Sequence, residues 1–114
     1  MVSLKQGDII RLNFDPQTGY EQKGRRPAIV LSNSYFNRYS KTVMVCPITH
    51  TDKNHPFHVR LGESTRISGV ILCDQLKTLD IVSRDYEFIE EAPKEIVLDV
   101  LDIISNFMEK EEYL

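Results

Sequence analysis

Arg25-Arg26-Pro27-Ala28-Ile29-Val30-Leu31-Ser32 carries a polar, basic approach straight into an apolar run rich in β-branched residues. A second such run, Thr42-Val43-Met44-Val45-Cys46-Pro47-Ile48, follows after Asn33–Ser40. Runs of this length and type read as largely buried strands. Working outward, Asp8–Phe14 alternates, with Ile10, Leu12 and Phe14 on one face and Arg11 and Asn13 on the other. Pro56–Leu61 alternates again through Phe57, Val59 and Leu61. Gly69–Leu72 opens another buried strand, Lys77–Val82 continues past a bend, and Tyr86-Glu87-Phe88 allows a last short one. Asn33–Ser40 reads as a helical turn bearing Tyr35, Phe36 and Tyr39. Short strands divided by polar turns specify a small, strongly bent antiparallel barrel.

The end of the chain has a different period. Ile96, Val97, Val100, Leu101, Ile103, Ile104, Phe107 and Met108 follow helical spacing, with Asp99, Asp102, Glu109 and Glu112 filling much of the rest. Pro93 suits a first helical position and Glu95 a first turn, where the helix dipole favours negative charge. The pattern implies an amphipathic helix of about five turns, at ~3.6 residues per turn. Its expected role is to close one side of the barrel. Its wide apolar stripe also leaves area for a partner subunit.

The 114 residues suit one small domain, 1–114, and include 14 Lys+Arg against 17 Asp+Glu, a formal net charge of -3. That sum conceals a division. Residues 1–79 hold 11 basic and 6 acidic side chains (11 − 6 = +5), and residues 80–114 hold 3 and 11 (3 − 11 = −8). Phosphate-backbone affinity comes mainly from Lys and Arg, so the first two thirds keep a nucleic-acid-binding surface open despite the negative total. No apolar stretch approaches the roughly 18–20 residues that span a bilayer. The polar opening Met1–Asp8 lacks the apolar core of a secretory signal, so a cytoplasmic protein without membrane contact is expected. Cys46 and Cys73 each lie in an apolar run and read as buried reduced thiols, one buried disulfide being the alternative.

Four segments carry candidate chemistry. Gly19–Pro27 is a glycine-bounded polar loop ending in two arginines at the mouth of a strand. There a guanidinium can grip a phosphate through two parallel hydrogen bonds. Exposed charges framing a turn are the plain alternative. Pro47-Ile48-Thr49-His50 brings a hydroxyl and an imidazole to a strand end, where they either meet substrate or satisfy the turn. Asp74-Gln75 directly follows a buried strand and is aimed at a sheet edge or a cleft, or else caps the strand. His55-Pro56-Phe57-His58 holds two histidines without further ligands at suitable spacing, so no metal site is expected. Phe14, Tyr20, Tyr35, Phe36 and Tyr39 are interleaved with Arg11, Arg25, Arg26, Arg38 and Lys41. Aromatic faces stack on unpaired bases while cations follow the backbone, the usual way single strands are held.

In their order and spacing these segments resemble the MazF/PemK family of toxin ribonucleases. The resemblance runs through Gly7-Asp8-Ile9-Ile10, Phe14-Asp15-Pro16, Gly19-Tyr20-Glu21-Gln22 and Gly24–Ser32. It continues through Pro47-Ile48-Thr49, Pro56-Phe57 and Gly69-Val70-Ile71-Leu72-Cys73-Asp74-Gln75. It implies a mainly β fold with helices (α+β), an SH3-like small barrel of the kind shared with the CcdB and Kid toxins, with the C-terminal helix added. It also implies a homodimer and a MazE-like antitoxin with an acidic C-terminal segment. The implied reaction is sequence-selective cleavage of single-stranded RNA with no metal or other cofactor. In it a ribose 2′-hydroxyl attacks the adjacent phosphate to leave a 2′,3′-cyclic phosphate and a 5′-hydroxyl. The family's catalytic arginine falls on Arg26, its catalytic threonine on Thr49 and its first-loop glutamate on Glu21. Phe14, Gln22, Arg25, His58, Asp74 and Gln75 are the expected RNA-binding residues. The alternatives are a same-fold toxin that binds DNA gyrase and a barrel that binds nucleic acid without chemistry.

Overall fold

A computed structural model describes residues 3–14 and 25–112. Glu21 and Gln22, with the rest of the first loop from Asp15 to Gly24, lie outside the described residues. The strands are β1 (Asp8–Asn13), β2 (Arg25–Val30), β3 (Thr42–Thr49), β4 (His58–Arg60), β5 (Val70–Leu72), β6 (Lys77–Asp80) and β7 (Glu87–Glu91). The helices are α1 (Ser34–Ser40) and α2 (Lys94–Phe107), and 3₁₀ turns occupy Cys73–Gln75 and Val82–Arg84.

The architecture is the expected mainly antiparallel sheet with helices. Strands run in the order β4-β5-β3-β2-β1-β7, and β6 pairs with the other end of β3. Strand β3 can serve three neighbours because it is the longest: Ile48 and Thr49 pair with β5, while Thr42–Val45 pair with β6. The sheet is open, and the word barrel describes it only loosely.

Both faces of the central strands are buried, which explains their near-continuous apolar sequence. Ile10, Leu12, Ala28, Val30, Val43 and Val45 form one core with Leu79 and Ile81 on one face of the sheet. Ile9, Ile29, Cys46, Ile48 and Ile71 form the other, covered by Val97 and Val100 of α2. At roughly 25 cal/mol per Å² of buried apolar area, each of these isoleucines supplies about 2 kcal/mol.

Helix α1 is set by its cap. The Asn33 side chain accepts from the Phe36 amide at 2.9 Å, and Lys41 ends the helix in a left-handed conformation. Asn37 then locks it in place: its side-chain nitrogen donates to Leu4 O and Ser32 O, and its oxygen accepts from the Ser32 hydroxyl. That hydroxyl accepts in turn from the Met44 amide, so one buried asparagine ties α1 to β3.

Helix α2 spans 14 residues, about four turns rather than five, and Pro93 caps it instead of lying inside. The Pro93 carbonyl accepts from the Ile96 and Val97 amides. The last turn holds no basic residue, and Glu109, Glu111 and Glu112 follow it. Negative charge beside the negative end of the dipole opposes further helix, although the apolar spacing runs on to Met108. No helix is long and apolar enough to cross a membrane among the described residues.

Candidate nucleic-acid interface

Antiparallel pairing of β2 with β3 sets Ala28 opposite Pro47. Continuing that register past its last pair leads from Ala28 to Arg26 on β2 and from Pro47 to Thr49 on β3. Arg26 pairs with Leu12 of β1, and Thr49 with Val70 of β5. Both line a cavity of about 230 Å³. Phe14 forms part of its wall, while Pro47, Ile48 and Leu72 make the apolar floor. Gln75 and Lys77 complete the polar lining. A size of a few hundred Å³ with few polar groups on an apolar base is typical of a ligand site.

The position of Thr49 is fixed from behind. Gly69 has φ +122°, and a Cβ there would sit 2.3 Å from the Thr49 carbonyl oxygen. Only glycine lets β5 approach the end of β3 this closely. The Thr49 hydroxyl accepts from the Thr51 amide at 3.3 Å, which leaves its own proton free to donate.

A second cavity of about 400 Å³ adjoins the first and shares Thr49, Leu72 and Gln75 with it. Its remaining walls are Lys53, His55, His58 and Asp74, together with Thr51. His58 Nε2 lies 4.0 Å from an Asp74 oxygen, with the imidazole mostly buried and the carboxylate half exposed. The His58 Nδ1 is buried without a hydrogen-bond partner among the described residues. His55 and His58 have ring centroids 4.9 Å apart. No cluster of three or more metal-ligating side chains occurs among the described residues. Asp52 grips Arg60 through a 2.5 Å hydrogen bond that, with the Asn54 amide, holds its carboxyl below the usual range.

Arg25 is placed elsewhere. Side chains alternate along β2, so Arg25 projects from the face opposite Arg26. Its guanidinium lies 3.8 Å from Glu87 of β7, which also pairs with Arg11 at 3.8 Å. Of the expected RNA-binding set, then, Phe14 and Gln75 join Arg26 and Thr49 in the first cavity. His58 and Asp74 join Gln75 in the second, and Arg25 lines neither.

Two residues at or beside this cavity escaped the sequence reading. Lys77 enters the cavity because the Cys73–Gln75 turn redirects the chain from β5 to β6. A lysine two residues beyond Asp74-Gln75 was the available signal. Arg84 Nη1 donates to Asn13 O at 3.0 Å and Phe14 O at 2.8 Å. No local pattern announces that contact, because 70 residues separate the partners.

The two cysteines are free and buried beneath α2. Cys46 Sγ donates to Cys73 O at 3.8 Å. Burial, then the nearby Cys73 and Asp74, pushes the Cys46 thiol up to about 12. Burial and Asp74 raise Cys73 to about 11. Neither thiol is a nucleophile at neutral pH.

Residues 5–108 match the family model described as the PemK-like, MazF-like toxin of type II toxin-antitoxin systems. The chain is similar to endoribonuclease PemK of Escherichia coli, at 32% identity over 109 residues, 92% of this chain and 82% of that protein. It is similar to the endoribonuclease toxin MazF of Escherichia coli K12, at 42% identity over 73 residues, 64% of this chain and 65% of that one. Among solved structures, MazF from Deinococcus radiodurans superposes with a TM-score of 0.83 at 37% identity, covering 95% of this chain and 98% of that one. A MazE-MazF structure from the same organism gives 0.82 at 32% identity, covering 97% and 100%.

Proposed function

Because this chain belongs to the PemK-like, MazF-like toxin family of type II toxin–antitoxin systems, we propose that its Arg26–Thr49 cavity is the site of endoribonucleolytic cleavage. Endoribonuclease activity itself follows from the family and its relatives. The observation that carries the further reading is the meeting of Arg26 and Thr49 in one cavity beside an aromatic wall and a lysine.

The substrate is single-stranded RNA laid across the cavity. A ribose 2′-oxygen attacks the adjacent phosphorus, the new O2′–P bond forms and the P–O5′ bond breaks. The ends are a 2′,3′-cyclic phosphate and a 5′-hydroxyl. Arginine remains protonated throughout, so Arg26 acts as a donor that stabilises charge growing on the phosphoryl oxygens, with Thr49 as a second donor. Lys77 adds positive charge to the same oxygens or the neighbouring phosphate. Glu21, of the first loop, is the candidate to take the 2′-hydroxyl proton, and water supplies the one that the departing 5′-oxygen gains. Phe14 offers a ring for base stacking, and Asp74, Gln75 and His58 face neighbouring bases. The reaction needs no metal: two fixed donors and a cation meet the charge a Lewis acid would otherwise stabilise.

The reading extends to partners. Two copies form a homodimer, and a disordered acidic antitoxin segment folds onto the same basic groove in competition with RNA. The similarity to the MazE-MazF structure supports the antitoxin part of this reading.

The test is incubation of the purified protein with a defined RNA in excess chelator, with cut sites and end groups mapped. Cyclic phosphate and 5′-hydroxyl ends support the mechanism. Cutting that requires added metal, or 5′-phosphate ends, overturns it.

A further inference from the structure

The open sheet has a gap in its hydrogen bonding where the end of β1 approaches the segment after β6, because β1 pairs with β2 and β7 but not with β6. Arg84 bridges that gap. A single Nη1 donates to two consecutive carbonyls, Asn13 O at 3.0 Å and Phe14 O at 2.8 Å, at the point where β1 ends. The backbone of Arg84 is anchored in turn, its amide donating to the carbonyl of Ile81, which is buried in the core with Ile10 and Leu12. Tyr86, two residues on, packs against that core as Phe14 does. Arg84 Nε is buried without a partner among the described residues, a cost retained for the sake of the clamp. Phe14 lies just past the end of β1. Packing against the core holds one side of its ring, and the hydrogen bonds from Arg84 hold the backbone that carries it.

We infer that Arg84 is a positioning residue for RNA: it fixes the backbone of Phe14 so that the ring stands as the stacking wall of the Arg26–Thr49 cavity. The inference rests on the reading of Phe14 as an RNA contact. Arg84 does not touch the reacting atoms, so its loss weakens substrate binding and leaves the chemical step to Arg26 and Thr49. Lysine does not replace it, because its ammonium ends a shorter, flexible stem and is not held in place by a planar head.

The chain contains no tryptophan, so Phe14→Trp creates a single fluorescent reporter at the wall. In this background, Arg84→Lys and Arg84→Gln are expected to lower the steady-state anisotropy of residue 14 and increase its quenching by acrylamide, without RNA present. In steady-state cleavage, Arg84→Lys and Phe14→Leu are each expected to raise KM about tenfold with kcat changed less than about threefold, on the scale of one lost base stack. The double variant is expected to be no worse than Phe14→Leu alone. Unchanged anisotropy and quenching would overturn the inference, and so would multiplicative effects in the double variant. So would failure of both Arg84 variants to fold, which would make the residue a fold determinant. If Phe14→Leu alone leaves KM unchanged, the reading of Phe14 as an RNA contact fails instead, and the inference with it.

Discussion

Arg25 and Arg26 share a peptide bond and leave the same loop, yet they belong to different regions of the molecule. Arg26 lines a cavity together with Thr49 and has no ion pair among the described residues. Arg25 faces the other side and lies with Arg11 against Glu87 at the β1–β7 edge. The pleat of one strand thus divides a pair of identical charges into one available to phosphate and one partly neutralised. Charge matters here by the face on which it lies, which is why the net value of -3 says little about an RNA partner.

The largest effect that can break this contrast is on catalysis. Arg26→Lys keeps the charge but loses the fork, and is expected to lower kcat about 10²–10³-fold while RNA binding persists. Arg25→Ala is expected to change kcat/KM less than about threefold. Cleavage rates and RNA anisotropy on both variants decide the matter, and equal losses would erase the distinction between the two faces.

Gly69→Ala sharpens it from behind the cavity. The added methyl meets the Thr49 carbonyl at 2.3 Å in a conformation that favours glycine, so β5 must move or the end of β3 must. A stability loss of about 1–3 kcal/mol is expected by urea denaturation, with a fall in kcat beyond what unfolding explains. The Arg11–Arg25–Glu87 edge offers the contrast: Glu87→Gln removes partly exposed pairs and is expected to cost below about 1 kcal/mol.

Beneath α2 the sheet is chemically quiet. With thiols raised to about 12 and about 11, Cys46 and Cys73 are expected to resist iodoacetamide at pH 8 in the native protein and to react in urea. Rapid native labelling, followed by mass spectrometry, would place them in a far more open environment.

The smallest effect concerns a cation that, like Arg25, already has its carboxylate. Asp52 is held below its ordinary value of 3.8, chiefly by the hydrogen bond from Arg60. A lowered folded-state value means that its contribution is present above pH ~4, the ordinary carboxylate value, and is lost as pH falls through the folded value. Asp52→Asn is therefore expected to flatten the acid side of the stability profile slightly, with no change at alkaline pH, as thermal melts from pH 2.5 to 8 would report.

Much of this was legible without coordinates, for physical reasons that differ by element. The runs Ala28–Ser32 and Thr42–Ile48 announced buried strands because β-branched side chains suit a pleated, covered surface. The α2 stripe announced its buried face, whereas its end did not follow the apolar spacing, since charge at the terminus decided it. The side taken by Arg25 was beyond reach, because a polar residue at a strand mouth carries no sign of which face holds the cavity. Lys77 and Arg84 were also missed: their roles depend on a turn and on a contact spanning 70 residues.

The amino-acid sequence by itself determined the class of fold and the segregation of charge, and its resemblance to the MazF/PemK family singled out Arg26 and Thr49 as the pair to watch. Those properties are local, being written in periodicity, composition and ordered motifs. Tertiary structure alone decided that these two side chains line one cavity, that Arg25 turns away to Glu87, and that Arg84 holds the end of β1. Pairing register and the closing of a sheet join residues far apart in the chain, and no local pattern encodes the distance between them.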